Sequence, residues 1–518
     1  MGIRILLAAS EVVGFAKTGG LADVAGSLPP ALARRGLECA VILPLYHCAR
    51  RVQPPPERTG HVFAVPMRDR MVAGRLWRSC LPGSDVPVYL VEQDEYFDRD
   101  EPLSGRGLYQ FTPSGGGKRD YNDNCERFIF FCRAVLEALP LLDFWPDVLH
   151  ANDWQTGLVP VYLRELYRNI GPDKLRSRYE RVSTLFTIHN LAYQGLFWHL
   201  DMALTGLDWR LFNPRQLEYY GKLSLLKAGI VFADRINTVS PTYAREIQTI
   251  YYGCGLQGVL AERRERLSGI VNGVDYRVWD PATDPHLPAH YDADNLLPGK
   301  ARCKTDLQQR EGLAVEPDTP LLGMVARMVE QKGVDLIVKA APALLEEGVQ
   351  LILLGEGDPD YHRQLAVVRD RYPGRMSLTI GFHEGLAHRI EAGADLFLMP
   401  SLYEPSGLNQ LYSMRYGTPP VVRSTGGLAD TVVDTSDATL VDGTATGFRF
   451  TPYTPDALRD TVRRALTLHR HRPEQWRQLI AAGMRQDWSW DRSAGEYVRL
   501  YERIAEERGQ GSGVRGQQ

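Results

Sequence analysis

Short apolar runs recur along the chain and alternate with amphipathic segments. The runs are continuous and are bounded by Gly, Pro or Asn, which is typical of buried parallel strands. Segments 335–348 and 362–372 carry apolar residues at three and four spacing, which predicts helices. The runs lie at 3–10, 147–153, 181–190 and 235–240, and in a second series at 267–275, 320–328, 349–357, 376–382, 394–401 and 419–427. This alternation predicts an α/β protein with two doubly wound sheets.

The chain has 518 residues, which is more than one core usually organises. The Gly- and Arg-rich span Cys254–Gly269 is the predicted boundary between two domains. We therefore expect Rossmann-like domains at 1–265 and 266–482, a helix at 483–508 that returns to the first domain, and a disordered tail at 509–518. A Gly-rich loop at 97–124 has no role that the sequence reveals.

Composition narrows the class of protein. The formal net charge of -3 gives no global field that would attract nucleic acid or an anionic membrane. Seven cysteines without a CxxC pair are typical of reduced thiols, so we expect neither disulfides nor a zinc site. The apolar N-terminal run is interrupted too early for a signal peptide, and no run is long enough to span a bilayer. These features predict a soluble, cytoplasmic protein.

Polar side chains follow the predicted strands in both halves of the chain. In open parallel sheets, ligands bind beyond the carboxyl ends of the strands. We therefore expect one deep cleft between two facing domains. The residues that follow the runs are Lys17, Asp153, His189, Arg327, Lys332, Glu404 and Thr425.

Two nearly identical loops lie about four hundred residues apart. KTGGLADVAG occupies 17–26 and STGGLADTVV occupies 424–433. Paired glycines let a backbone approach a phosphate, and the start of the next helix offers free N–H groups and partial positive charge. Gly-Gly can also make a plain strand-to-helix turn. Because Lys17 precedes the first pair, we favour two phosphate-binding loops.

Two further segments place charge where a phosphorylated sugar could bind. Arg327 lies at the end of a predicted strand and Lys332 at the entrance of the next predicted helix, where two cations and a helix N-terminus can converge on a diphosphate. Glu404 stands before Pro405 at another predicted helix start. A carboxylate there can accept hydrogen bonds from sugar hydroxyls, or it can simply compensate the helix dipole.

The combined motifs resemble those of bacterial glycogen synthases and the related starch synthases, over about 3–501. They are KTGGLADV, HANDW, TIHNLAYQG (187–195), SPTYAREI (240–247), NGVD (272–275), the Arg327 and Lys332 pair, and EPSGLNQLY. The resemblance implies the GT-B architecture, with an acceptor-side first domain and a nucleotide-sugar second domain. It implies transfer of glucose from ADP-glucose to the non-reducing end of an α-1,4-glucan, with retention at the anomeric carbon and release of ADP. No cofactor and no metal site are implied.

The resemblance also implies site residues. His189, Arg327, Lys332 and Glu404 would be catalytic: His189 would approach the C6 side of the glucose, the two cations would neutralise the diphosphate, and Glu404 would hold sugar hydroxyls. Phe382 would lie near the adenine. The other implied substrate-binding residues are Lys17, Gly19, Gly20, Asp23, Asp153, Asn190, Ser406, Gly407, Leu408, Thr425, Gly426 and Gly427. Where some GT-B enzymes carry a second Glu, this chain has Tyr412.

The residues favour one mechanism and leave other functions open. No second carboxylate suits a nucleophile, so we expect front-face attack assisted by the leaving phosphate. Three DxD stretches look like solvated turns, so we predict activity in EDTA. A related transferase using UDP-glucose or a small sugar, a dinucleotide oxidoreductase and a non-catalytic glucan-binding protein are alternatives. The first loop lacks the GxGxxG of the oxidoreductases, and the intact charged residues argue against the binding protein.

Overall fold

The computed structural model describes residues 2–99, 107–113, 117–169 and 171–514. The chain divides into two compact units. The first contains 1–239, 244–273 and 490–518, and the second contains 240–243 and 274–489. The Gly-rich loop expected at 97–124 lies partly outside the described residues, as do residues 515–518 of the expected tail.

The first unit contains a sheet of nine strands in the order β14-β13-β9-β8-β1-β2-β5-β4-β3, and two small sheets formed by β6-β7 and by β10-β12-β11. Its strands are β1 Arg4–Ala8, β2 Glu38–Pro44, β3 Glu57–Met67, β4 Arg70–Cys80, β5 Pro87–Glu92, β6 Gln110–Phe111, β7 Arg119–Asp120, β8 Val148–Asn152, β9 Ser183–Ile188, β10 Leu196–Trp198, β11 Glu218–Tyr219, β12 Lys222–Ser224, β13 Arg235–Thr238 and β14 Leu267–Gly269.

Seven strands of this large sheet run parallel, and β3 and β4 join its edge as an antiparallel pair. The continuous apolar runs are buried as expected, for example throughout β8 and β9. One strand prediction was wrong: the run at 267–275 was expected to open the second series, but β14 pairs with β13 in the first sheet. Its Leu-Ser-Gly sequence carries no signal that distinguishes the two sheets.

The second unit contains a parallel sheet of six strands in the order β17-β16-β15-β18-β19-β20. Reversal of strand order on either side of β15 marks a doubly wound sheet. Its strands are β15 Leu321–Val325, β16 Gln350–Gly355, β17 Met376–Ile380, β18 Leu396–Met399, β19 Pro420–Arg423 and β20 Phe448–Phe450.

Helices follow most strands and cover the sheets with their apolar faces. They are α1 Gly20–Arg34, α2 Asp94–Phe97, α3 Asn124–Ala138, α4 Val159–Tyr162, α5 Asp173–Glu180, α6 Met202–Thr205, α7 Leu225–Phe232, α8 Pro241–Glu246, α9 Gln257–Glu262, α10 Leu296–Arg310, α11 Val334–Glu346, α12 Pro359–Arg371, α13 Glu384–Gly393, α14 Asn409–Arg415, α15 Gly426–Thr431, α16 Asp437–Val441, α17 Pro455–His471, α18 Pro473–Met484 and α19 Trp490–Val514. No helix among the described residues is long and apolar enough to cross a bilayer.

The last helix, α19, belongs to the first unit although its sequence follows the second. Its Tyr501 hydroxyl lies 2.8 Å from His150 Nδ1 under the large sheet, and Asn237 donates to the Tyr497 hydroxyl at 3.1 Å. The helix expected at 483–508 begins later than expected, at Trp490. It ends at Val514, inside the segment that was expected to be disordered. The first unit is consequently built from both ends of the chain.

Candidate active site

The first GGLAD loop connects β1 to α1 and holds two of the predicted site residues in contact. Lys17 Nζ donates to Asp23 Oδ1 at 2.6 Å. Burial raises the pKa of Asp23, and the ammonium group of Lys17 offsets part of that rise. This ion pair joins Lys17 of the loop to the first turn of α1. Such a contact supports the loop in a fixed position, as ligand binding requires.

A buried carboxylate that the sequence analysis did not single out organises this loop. Glu11 accepts hydrogen bonds from Thr18 N, Thr18 Oγ1 and Gly19 N, at 2.5, 2.6 and 3.0 Å. The Tyr109 hydroxyl donates to the same carboxylate at 2.9 Å. The Thr18 and Gly19 amides are therefore engaged by the protein itself. The only sequence signal for Glu11 is an acid at the end of an apolar run.

Gly19 and Gly20 stand at the start of α1 with open space beside them. A methyl group added at either position would meet no described atom within 4 Å, and neither backbone lies in the left-handed region. Neither close packing nor backbone conformation therefore requires glycine here. A ligand that comes close to the backbone would require it.

The ends of β8 and β9 bring three more predicted residues together. Asp153 Oδ1 accepts a hydrogen bond from His189 N at 2.7 Å. Asp153 has φ 56° and ψ -178°, a costly conformation for a side-chain-bearing residue and one that clusters at functional sites. Removal from solvent raises the pKa of Asp153 to about 7, although backbone hydrogen bonds from His189 and Asn190 oppose the rise and Glu11 adds to it.

The hydrogen bonds of His189 define its tautomer. The amide nitrogen of Asn152 donates to the carbonyl oxygens of Ala8 and His150, so its Oδ1 must be the acceptor for His189 Nε2 at 2.9 Å. Burial lowers the pKa of His189 to about 3, which keeps the ring neutral at pH 7. The Nδ1 atom then carries a lone pair and can accept a hydrogen bond from a hydroxyl group.

In the second unit, a cation and an anion that were predicted separately form an ion pair. Lys332, just before α11, donates from Nζ to Glu404 Oε2 at 2.5 Å, and Ser401 Oγ donates to the same oxygen at 3.1 Å. Glu404 is only 5% exposed, whereas Arg327 is exposed and contacts Gln331. The ends of β15 and β18 thus place a buried carboxylate beside an ammonium group.

The second GGLAD loop differs from the first in what surrounds its glycines. A methyl group at Gly426 would lie 1.9 Å from Glu404 O, and one at Gly427 would lie 2.0 Å from Ser406 O. Gly427 N also donates to Glu404 O at 3.1 Å. Close packing against the Glu404–Ser406 backbone therefore accounts for this second pair of glycines. The phosphate role expected for them stays a prediction.

The aspartates of the two GGLAD loops, Asp23 and Asp430, also make different contacts. Asp430 accepts hydrogen bonds from Ser240 Oγ, Thr242 N and Thr242 Oγ1 at 2.6, 2.9 and 2.6 Å, and so caps the start of α8. Ser424, which replaces the lysine of the first loop, accepts a hydrogen bond from Arg449. The same GGLAD sequence therefore makes different contacts in the two loops.

The remaining predicted residues lie at helix starts of the second unit. Ser406 and Gly407 precede α14, Leu408 is its N-cap residue, and Thr425 is the buried N-cap residue of α15. Phe382 precedes α13 and is 75% exposed, and no described hydrogen bond or ring contact joins it to the other predicted residues. An exposed ring at that position is suited to stacking on a base.

No group of three His, Cys, Asp or Glu side chains suited to a metal ion occurs in the part of the chain that the structure describes. The groups described above are Lys, Arg, His, Asp and Glu side chains, helix N-termini and backbone amides. Such groups bind and polarise phosphates and sugar hydroxyls.

Two doubly wound units, each with charged residues beyond its strand ends, are the domain architecture of the GT-B glycosyltransferases. Residues 4–262 match the family described as starch synthase catalytic domain, and residues 306–482 match glycosyl transferases group 1. The chain is 48% identical over 504 residues to the glycogen synthase of Syntrophotalea carbinolica, with 97% of this chain and 99% of that protein covered. It is 50% identical over 509 residues to the glycogen synthase of Anaeromyxobacter dehalogenans, at the same coverage.

The solved structures agree. The catalytic domain of starch synthase IV from Arabidopsis thaliana, bound to ADP and acarbose, superposes with a TM-score of 0.86 at 32% identity and covers 98% of this chain and 100% of that one. Sucrose-phosphate synthase from Thermosynechococcus elongatus has a TM-score of 0.56 at 17% identity over 97% of this chain and 99% of that one, which shows the fold alone. The chain belongs to the family of glycogen and starch synthases and is a hexosyltransferase.

Proposed function

We propose that this protein transfers glucose from ADP-glucose to the non-reducing end of an α-1,4-glucan, with retention at the anomeric carbon and release of ADP. Relatives named glycogen synthase support the polymer, because they match nearly the full chain. The related starch synthase bound to ADP and acarbose supports the adenine nucleotide and a glucan-like acceptor.

The observation that carries the proposal is the contact between Lys332 and Glu404. A nucleotide sugar carries hydroxyl groups on one side of its glycosidic oxygen and a diphosphate on the other. Glu404 Oε2 and Lys332 Nζ are 2.5 Å apart, so a carboxylate for the hydroxyls and a cation for the phosphates meet at one point. That spacing fits the junction between sugar and phosphate, where the bond breaks.

The other predicted residues receive roles around this junction. Arg327 shares the diphosphate with Lys332, and Phe382 stacks on the adenine. His189 accepts a hydrogen bond from a glucose hydroxyl at its Nδ1 atom, with Asp153 and Asn190 shaping the turn. The backbone and side chains that complete the donor site are those of Lys17, Gly19, Gly20, Asp23, Ser406, Gly407, Leu408, Thr425, Gly426 and Gly427.

Catalysis in this proposal is mainly electrostatic. The bond between anomeric carbon and phosphate oxygen breaks as negative charge grows on the diphosphate, and preorganised cations stabilise that charge without reorganising. The acceptor hydroxyl attacks from the same face, and its proton passes to the departing phosphate oxygen. His189 is neutral at pH 7, so its part is to position the sugar rather than to donate a proton.

The test is incorporation of labelled glucose into glycogen by the purified protein, with ADP-glucose and UDP-glucose in parallel and EDTA in every sample. We expect transfer from ADP-glucose to the polymer in EDTA. Transfer from UDP-glucose alone, or only to a small sugar, would support a related transferase. Loss of all activity in EDTA would contradict metal independence, and no transfer from either donor would contradict the proposal.

A further inference from the structure

Three aromatic rings of the second unit form a parallel stack. Trp279 lies between His388 and Tyr412, with ring centroids 3.8 and 3.9 Å apart and interplanar angles of 7° and 2°. Aromatic pairs in proteins usually adopt offset or edge-to-face arrangements with centroids about 4.5–7 Å apart. Rings held this closely and this nearly parallel need support from the surrounding structure.

A buried carboxylate supplies support at one end of the stack. Asp284 Oδ2 accepts hydrogen bonds from His388 Nδ1 at 2.7 Å and from the Tyr416 hydroxyl at 2.6 Å, and its Oδ1 accepts His286 N at 2.8 Å. Both Asp284 and His388 are only 1% exposed. These bonds fix the plane of the imidazole ring, because rotation of the ring would remove one of the donors to a buried carboxylate.

An ion pair holds the segment that carries Trp279. Asp280, the next residue along the chain, accepts a hydrogen bond from Arg415 on α14. The loop of Trp279 is thereby joined to α14 twice, through the ring of Tyr412 and through Arg415. The same loop is joined to α13 through the ring of His388 and through Asp284.

The two helices that the stack connects begin at different parts of the candidate donor site. His388 lies on α13, which begins at Glu384, two residues after Phe382. Tyr412 lies on α14, which begins at Asn409 directly after the segment that contains Glu404 and Leu408. The spacing of α13 and α14 therefore sets the spacing of the residues proposed for the adenine and for the glucose.

We propose that Trp279 is a positioning residue that, with His388 and Tyr412, fixes α13 relative to α14 so that both ends of the nucleotide sugar are held at once. This inference rests on the proposed function. Burying a carboxylate and an imidazole costs free energy. A purely apolar cluster could fill the same volume without that cost. Parallel rings with a fixed end resist sliding and rotation better than aliphatic side chains do.

The experiment compares Trp279→Leu with Trp279→Phe, which keeps a ring. Trp476→Leu is the matched control, since Trp476 is a buried tryptophan of the same unit that stacks on Phe448. Melting temperature, kcat and KM with ADP-glucose, and the Kd of ADP by calorimetry are measured for each. His388→Gln removes the ring at the Asp284 end and serves if Trp279→Leu does not fold.

We expect Trp279→Leu and His388→Gln to lower kcat/KM by about 10- to 100-fold, as misplacement of remote groups does, and to weaken ADP binding. Trp279→Phe should recover most of the loss. Trp476→Leu should lower the melting temperature while kcat/KM and Kd stay within about twofold of wild type. Equal kinetic effects of the Trp279 and Trp476 changes, or no kinetic effect at Trp279, would overturn the inference. If the wild-type protein neither uses ADP-glucose nor binds ADP, the proposed function is overturned. The inference about Trp279 then loses its basis as well.

Discussion

The most informative single change is Gly20→Ala in the first GGLAD loop. The added methyl group meets no described atom within 4 Å, and the backbone is not in the left-handed region. Alanine lowers the conformational entropy of the unfolded chain and suits a helix, so the folded protein should gain up to about 1 kcal/mol. The melting temperature should stay the same or rise slightly.

Activity should respond in the opposite direction. If a donor phosphate approaches the start of α1, the methyl group takes its place and weakens a charge-assisted hydrogen bond of about 1.5–3 kcal/mol. Since each 1.36 kcal/mol corresponds to a tenfold change in rate, kcat/KM should fall by about 10- to 150-fold. The opposite signs of the two effects separate a ligand-binding role from a structural one.

Steady-state kinetics with ADP-glucose and a thermal melt of the same samples provide the assay. Gly258→Ala is the matched control, because Gly258 lies in α9, its added methyl group would also meet nothing within 4 Å, and its φ is ordinary. That variant should keep wild-type kinetics. A kcat/KM for Gly20→Ala within twofold of the Gly258→Ala value would refute the reasoning, and so would a large loss of melting temperature.

Three further predictions follow from the site. Gly427→Ala should destabilise the second unit, because its methyl group would lie 2.0 Å from Ser406 O, and a thermal melt that matches wild type would contradict this. Lys332→Ala should lower kcat by about 10²–10³-fold, corresponding to about 2.7–4 kcal/mol for a lost preorganised donor, as measured with saturating ADP-glucose. Asp153 has a pKa raised from 3.8 to about 7, so the folded state binds more protons than the unfolded state between those values. Its contribution to the free energy of unfolding should therefore fall as pH rises from about 4 to about 7, and Asp153→Asn should remove that slope in urea unfolding at several pH values.

Much of the fold follows from periodicity alone. Continuous apolar runs such as those of β8 and β9 are typical of strands in a covered parallel sheet, and both strands were predicted. The strands β2 and β5 are buried in the same way but were not among the predicted runs. The antiparallel strands β3 and β4 were not predicted, because exposed and buried positions alternate along much of their length instead of forming a continuous apolar run, and Gly and Pro interrupt them. The assignment of β14 depends on a pairing partner, which no local pattern encodes.

The candidate site was predictable in its residue types but not in its contacts. Strand ends indicated Asp153, His189 and Glu404, because position after an apolar run is visible in sequence. The pairing of Lys332 with Glu404 depends on the order of β15 and β18 in the sheet, which is a tertiary property. Glu11 was missed for the same reason, since its donors come from a loop seven and eight residues on and from Tyr109.

The second unit is formed by nearly one continuous stretch of sequence and the first is not, and this difference affects the order in which the units can fold during synthesis. Nearly all of the second unit is one stretch, 274–489, whereas the first unit needs α19, whose Tyr501 and Tyr497 reach His150 and Asn237. During synthesis from the N-terminus, we expect the second unit to complete its core while α1, β8 and β9 of the first unit still lack their contacts with α19. A ribosome that stalls or terminates before α19 would release a chain in which this part of the first unit is uncovered, a natural substrate for chaperones and proteases.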